Sequence, residues 1–74
     1  MLVKELRAGD EFTSAKNKNG MFDYSGIVKE NTGRTIMFGF FYMGKYHTGD
    51  KFKVSCAKLR GGKYKRDGVV GELT

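Results

Sequence analysis

Glycines divide this chain into short runs in which apolar and polar residues alternate, and no run sustains the 3.6-residue period of a helix. There are 11 glycines among 74 residues. Alternation with a period of two is typical of half-buried strands, and frequent glycines are typical of the turns between them. The sequence therefore predicts an all-β fold, a small half-open barrel of about five to six short antiparallel strands. Short loops favour an SH3-like barrel as the first choice and an OB-like barrel as the second.

Length and cysteine content limit how such a fold can be stabilised. We predict one domain over residues 1–74, and a domain of that size buries only about 60% of its unfolded surface. Cys56 is the only cysteine and His47 the only histidine, so neither a disulfide nor a Cys/His zinc site can form within one chain. We expect no cofactor, and homodimerisation stays open as a further source of stability.

The sequence also bears on the compartment. No apolar run is long enough to span a bilayer, and the early charges of residues 1–6 are unlike a signal peptide. A lone thiol is typical of a reducing environment. We therefore expect a cytoplasmic protein with no membrane partner.

The first third of the chain predicts a strand and a turn. Leu2, Val3 and Leu6 fit either one helical turn or a short strand before Gly9. A strand is expected over residues 10–15, and Asn19-Gly20 is a strong turn signal. The apolar phase on either side of that turn is untidy, so a bulge or a longer loop is expected rather than a two-residue hairpin.

A second hairpin has the strongest local pattern. Asn31-Thr32-Gly33 fits a three-residue loop with positive φ at Gly33. That register gives these pairs: Glu30 with Arg34, Val28 with Ile36, Gly26 with Phe38, Tyr24 with Phe40, and Phe22 with Tyr42. The last four pairs share one face, on which Phe38 would cover the backbone of Gly26. We predict that this hairpin forms the centre of the sheet.

The opposite face of residues 34–43 is also mostly apolar. It carries Met37, Phe41 and Met43. A strand that is apolar on both faces is either covered within a barrel or exposes a patch, and an exposed patch is typical of a protein interface. These three residues are the candidate protein-binding site.

The second half of the chain predicts a loop, a strand and a basic hairpin. The loop covers residues 44–49, and the strand that follows alternates between an inward set (Phe52, Val54, Cys56) and an outward set (Lys51, Lys53, Ser55). Residues 58–66 would turn at Gly61-Gly62, so that Arg60 faces Lys63 and Lys58 faces Lys65. Like charges in register are destabilising, and a bound anion would relieve them. Residues 68–74 predict a short closing strand.

Charge is concentrated in the same half. Residues 45–66 contain eight cations and one anion, a net charge of +7 against +6 for the whole chain. A cationic surface of this kind is typical of proteins that bind polyanions. The candidate nucleic-acid-binding residues are Lys45, Tyr46, Lys51, Lys53, Lys58, Arg60, Lys63, Tyr64, Lys65 and Arg66. Bases could stack on Tyr42, Tyr46, Tyr64 and Phe41, and Tyr64 between two lysines is the most suggestive placement.

Two functional hypotheses follow. The first is a non-enzymatic nucleic-acid-binding protein, with single-stranded DNA or RNA slightly favoured over a duplex because no recognition helix is predicted. The alternative is a small inhibitor or adaptor, virus-encoded ones included, that docks on an acidic surface of a partner enzyme. Catalysis is not expected, because His47 has no partner at motif spacing and Cys56 points inward.

Overall fold

The computed structural model of this protein describes all 74 residues. It contains six strands and two short 3-10 helices. The strands are β1 (Glu11–Thr13), β2 (Ser25–Asn31), β3 (Thr35–Tyr42), β4 (Lys45–Ser55), β5 (Lys63–Arg66) and β6 (Val69–Glu72). The first 3-10 helix is Val3–Glu5 and the second is Cys56–Leu59. Neither helical segment has the length and hydrophobicity needed to cross a membrane.

The strands form a single antiparallel sheet in the order β4-β3-β2-β1-β5-β6. After a meander of four strands and the second 3-10 helix, the chain returns so that β5 pairs with β1. The predicted all-β class is confirmed. The sheet is not closed, because β4 and β6 are its two edges, and it is compatible with a small half-open barrel. The return of β5 to β1 agrees with the SH3-like choice.

One core fills the concave side of this sheet. Its nine buried apolar residues are Val3, Leu6, Phe12, Val28, Ile36, Phe38, Val54, Leu59 and Leu73. The strands supply five of them, the two 3-10 helices with Leu6 supply three, and Leu73 follows β6. Because the sheet is open, these non-strand residues exclude water where a closed barrel would use further strands.

The predicted hairpin of β2 and β3 forms, but its register was wrong. Val28 pairs with Phe38 instead of Ile36, and a bulge lies between Val28 and Glu30. Asn31 belongs to β2, because it pairs with Ile36 of β3. Its side-chain amide donates to the carbonyl oxygens of residues 3, 4 and 6 at 3.0–3.1 Å and thereby holds β2 against the first 3-10 helix. The loop is consequently residues 32–34. Gly33 has the predicted positive φ of 89°, and Phe38 does lie against Gly26.

Two other hairpins, neither of them predicted, turn on two residues each. Met43 and Gly44 have φ values of 51° and 78°, and Asp67 and Gly68 have φ values of 50° and 81°. Positive φ at both positions is typical of type I′ turns, which match the twist of the flanking strands. The predicted loop over residues 44–49 is therefore wrong, because β4 begins at Lys45.

The predicted basic hairpin at Gly61-Gly62 is also wrong. The second 3-10 helix carries Lys58, a turn follows it, and the partners of β5 are β1 and β6. Lys58 therefore does not pair with Lys65, nor Arg60 with Lys63. The closing strand predicted over residues 68–74 is confirmed as β6.

Strand β4 bends sharply in its middle. Met37 pairs with Lys53 and Gly39 pairs with Thr48. Between these two pairs the chain advances five residues along β4 but only two along β3. Extra residues of this kind curve a sheet and are common at barrel corners. The bend sets apart the end of the β3–β4 hairpin, residues 40–47, which we term the hairpin tip. Beyond the bend the predicted alternation is confirmed, with Val54 buried and Lys53 exposed.

Candidate nucleic-acid interface

The face of the sheet opposite the core carries an apolar concavity, a groove of about 570 Å³ that we term the outer groove. It crosses β1, β2 and β5 and reaches β3 at one end. Core residues Phe12, Phe40 and Tyr64 border it, and its other side chains are of three kinds: apolar (Phe22, Ile27, Phe41, Val70), cationic (Lys63, Lys65), and small polar or acidic (Glu11, Thr13, Ser25). Phe22 and Phe41 are well exposed, at 48% and 66%. The groove therefore combines exposed aromatic rings with two ammonium groups.

Strand register determines which charges meet beside this groove. Lys65 pairs with Glu11 of β1, and Lys63 pairs with Glu72 of β6. Neither pair comes within ion-pair distance, since the only ion pair of the chain joins Arg66 and Asp10. The like-charge conflict expected in a basic hairpin is absent, so that argument for a bound anion is wrong.

Tyr64 does not stand between two lysines on one surface. It pairs in register with buried Phe12, so its side chain points to the core face while Lys63 and Lys65 point to the outer face. Its ring covers Gly71, where an added Cβ would lie 2.6 Å from ring carbon Cε1. Tyr64 is half-buried against the core, and its ring is committed to packing.

Arg66 is likewise committed within the fold. Its guanidinium donates to both carboxylate oxygens of buried Asp10, with Nη2 2.7 Å from Oδ2, and also to the carbonyl of Glu5 at 3.1 Å. Asp10 accepts a further hydrogen bond from the backbone N–H of Arg7. The hydrogen bonds from Arg66 hold the pKa of Asp10 below its ordinary value, although burial acts in the opposite direction. We term this pair the Asp10–Arg66 clamp, because it ties β5 to the turn that precedes β1.

The remaining candidate cations are distributed along one edge and one end of the fold. Lys45 lies at the hairpin tip, Lys51 at the bend of β4, and Lys53 beside Met37 on the outer face. Lys58 lies on the second 3-10 helix with Nζ 6.0 Å from the ring centroid of Tyr24. Arg60 follows that helix. Of the cations chosen from the sequence, only Lys63 and Lys65 line the outer groove.

The hairpin tip exposes apolar side chains on both of its faces. Exposure reaches 85% for Met43 and 63% for Tyr42. On the outer face the rings of Phe41 and Tyr46 are 5.2 Å apart, and on the other face Phe40 stacks on His47 at 5.5 Å. Of the two alternatives that the sequence leaves open, Phe41 and Met43 follow the exposed one, whereas Met37 is half-buried.

Two residues outside the groove, His47 and Cys56, carry side chains of types that act in catalysis. His47 lies on β4, half-buried against Phe40, and not in a loop as predicted. Cys56 packs against the core as expected, and burial raises the pKa of its thiol. A raised pKa lowers the thiolate fraction at neutral pH, which is the opposite of what a nucleophilic cysteine needs.

Sequence reasoning missed Phe22 as a groove residue, because the assumed register paired it with Tyr42. The sequence does contain a signal for the position of the two lysines, the dipeptide Asp67-Gly68, which is typical of a two-residue hairpin turn. A hairpin centred there makes residues 63–66 a strand, and the alternation of a strand then places Lys63 and Lys65 on one face and Tyr64 on the other.

Comparisons with protein-family models, with curated proteins and with solved structures found no match to this chain. No group of three or more His, Cys, Asp and Glu side chains is arranged to hold a metal ion. The candidate site is therefore assigned from the geometry of this chain, and the groove with its two lysines is its centre.

Proposed function

We propose that this protein binds single-stranded nucleic acid, DNA or RNA, in the outer groove and does so without catalysis. The observation that supports this proposal is the placement of exposed aromatic rings and exposed ammonium groups in one groove. Phe22 and Phe41 supply the rings, and Lys63 and Lys65 supply the charge. Grooves that bind single strands with little sequence preference combine these two kinds of group.

Each kind of group has a separate role. A base that leaves its stack can lie on the ring of Phe22 or Phe41, and such contacts contribute about 1–3 kcal/mol per base. Lys63 and Lys65 would neutralise phosphates and release the counterions condensed around them. The hydroxyls of Thr13 and Ser25, which also line the groove, can donate to phosphate or to base edges.

The size of the groove favours a single strand over a duplex. About 570 Å³ is within the range of a small-ligand site, so the groove holds one or two nucleotides at a time. A duplex buries its base faces in its own stack and could not reach the rings. The net charge of +6, which includes Lys51 and Lys53 outside the groove, would raise the rate of encounter with any polyanion. A free thiol at Cys56 suits the cytoplasmic location that we propose with this function.

The hairpin tip favours a second candidate function, the binding of a protein partner. Tyr42, Met43 and Tyr46 are exposed, and exposed apolar patches are typical of protein interfaces. Under this alternative the protein is an inhibitor or adaptor, and Lys45 at the tip would face an acidic rim on the partner enzyme. Under the same alternative, the partner could be a second copy of this chain, bound through the same tip as a homodimer.

Variants of the groove and of the tip distinguish the two candidates. Phe41 belongs to both regions, so the informative changes are Phe22→Ala in the groove and Met43→Ser at the tip. Fluorescence anisotropy with labelled single-stranded DNA, single-stranded RNA and duplex DNA, at several salt concentrations, measures binding. A matched control for Lys63→Gln with Lys65→Gln is Lys4→Gln with Lys29→Gln, which removes the same charge from positions outside the groove.

The proposal predicts that single strands bind more tightly than the duplex. Phe22→Ala should weaken that binding by about 1–3 kcal/mol, which is fivefold or more. The groove lysine pair should weaken it by roughly tenfold and reduce the salt slope by about 1.4, while the control pair has a smaller effect. Equal losses from both lysine pairs, with none from Phe22→Ala, would mean that only overall charge attracts nucleic acid. The hairpin tip would then become the leading site.

A further inference from the structure

The loop between β1 and β2, residues 14–24, borders a second pocket beside the outer groove. This second pocket has a volume of about 630 Å³ and is mostly polar. Its lining residues include Ser14, Lys16, Asn17, Asp23, Tyr24 and Lys58. Phe22 lines the outer groove, and the next two residues of the chain line the second pocket. The two concavities are therefore neighbours along one short segment of backbone.

The loop is held in a fixed shape by its own hydrogen bonds. The side-chain oxygen of Asn17 accepts from the backbone N–H groups of Asn19 and Met21, and its amide donates to Asp23 at 3.0 Å. At the base of the loop the backbone N–H of Tyr24 donates to the hydroxyl of Ser14 at 3.0 Å. A ligand entering the second pocket would meet a site that is already formed, which lowers the entropic cost of binding.

The second pocket continues the positive charge of the outer groove. Lys16 Nζ lies 5.8 Å from the ring centroid of Phe22, and Lys58 Nζ lies 6.0 Å from that of Tyr24. The only acidic residue in its lining is Asp23, whose Oδ1 accepts the hydrogen bond from Asn17. The second pocket thus adds two ammonium groups to those of Lys63 and Lys65: Lys16, beside the Phe22 ring of the outer groove, and Lys58, beside the half-buried ring of Tyr24.

We infer that the second pocket binds a further nucleotide of the same strand, so that the ligand runs from the β5 lysines over Phe22 to a phosphate between Lys16 and Lys58. This inference rests on the proposed function. It gives that function a path and a minimum length, because a ligand confined to the outer groove would not reach Lys58. It also assigns a role to Lys16, which lies outside the strongly basic half of the sequence.

The dependence of affinity on oligonucleotide length tests the path. Uniform single strands of about 2 to about 10 nucleotides overlap the range of roughly 4–16 nucleotides that single-strand-binding barrels occupy. The test variant is Lys16→Gln with Lys58→Gln, and the matched control is again Lys4→Gln with Lys29→Gln. For the unmodified protein, affinity should rise with length until both pockets are filled and then level off.

The double variant should bind the shortest strands as the unmodified protein does and lose about tenfold in affinity for longer ones. Its salt slope on long strands should fall by about 1.4, the value for two lost phosphate contacts. The same loss at every length, or no loss at any length, would overturn the path while leaving binding in the outer groove intact. An unmodified protein that binds no single strand at any length would overturn both this inference and the proposed function.

Discussion

The two ends of strand β3 are in opposite environments. Ile36 and Phe38, at its start and middle, are 0% and 7% exposed, whereas Phe41 and Tyr42, at its end, are 66% and 63% exposed. The residue types are alike, so hydrophobicity by itself does not decide which of them is buried. The bend of β4 decides it. The part of β4 from Lys53 onward follows the core, whereas the part before the bend belongs to the hairpin tip and leads away from the core. The rest of the fold outside the hairpin tip, which we term the body, buries its large apolar residues on β3, whereas the tip leaves them exposed.

The largest difference between body and tip should be in stability. Ile36→Ala removes a fully buried side chain and leaves a cavity, and we expect a loss of about 2–5 kcal/mol in the free energy of unfolding. Phe41→Ala at the tip removes an exposed ring and should change that free energy by less than about 1 kcal/mol. Urea titration followed by circular dichroism measures both. Similar losses at the two positions would mean that the tip is packed in solution, by a second copy or by rearrangement.

The Asp10–Arg66 clamp adds an ion pair to the body, where Asp10 is the one buried charged residue. Asp10→Asn leaves Arg66 without its carboxylate, and we expect a loss of about 1–3 kcal/mol at neutral pH. The pKa of Asp10 is lowered in the folded state, so its contribution is complete above the ordinary carboxyl value and is lost as the pH falls through the lowered value.

Unfolding titrations from about pH 7 down to about pH 2 test this sign. The unmodified protein should lose stability on acidification more steeply than the Asp10→Asn variant, in which that carboxyl is absent. Parallel curves for the two proteins would contradict the lowered pKa of Asp10, and with it the clamp.

The smallest expected effect lies in a comparison of two turns with the same backbone conformation. One has Asp67 at its first positive-φ position, where Asp is favoured, and the other has Met43, where a long apolar side chain is disfavoured. Met43→Asn should therefore stabilise the fold slightly, by about 0.5 kcal/mol, while it removes the most exposed apolar residue of the tip. Thermal unfolding measures the first effect and dye binding to exposed apolar surface the second. A destabilised Met43→Asn variant would mean that Met43 packs within the fold.

The fold class was predictable because it depends on local pattern. Alternation identified the strands, and the inward set that includes Val54 followed from it. The register of β2 against β3 was not predictable in the same way, because a shift of two residues keeps Val28, Ile36 and Phe38 on one face. The bulge after Val28 and the tertiary hydrogen bonds of Asn31 belong to the observed register, and a period of two contains no information about either.

The candidate site was less predictable than the fold. Lys63 and Lys65 were chosen from the sequence for their charge, but Phe22 lies about 40 residues earlier in the chain. Pairing of β5 with β1 brings these residues to one groove. That pairing is long-range, so neither spacing nor composition indicates it. Charge density indicated the two lysines and the sequence also offered Phe41, whereas Phe22 could be placed in the site only from the topology.

The position of β1 between β2 and β5 has a consequence for the order of folding. Its contacts with β5 join residues about 50 positions apart, whereas β3 pairs with β2 and with β4 across short turns. Closing a long loop is entropically slow, so we expect the three-stranded meander to form early and β1 to dock with β5 last. Pulse-labelling hydrogen exchange during refolding would then protect the amides of β3 before those of β5, and the reverse order would contradict this pathway. On this folding pathway the hairpin tip is exposed before the outer groove has formed.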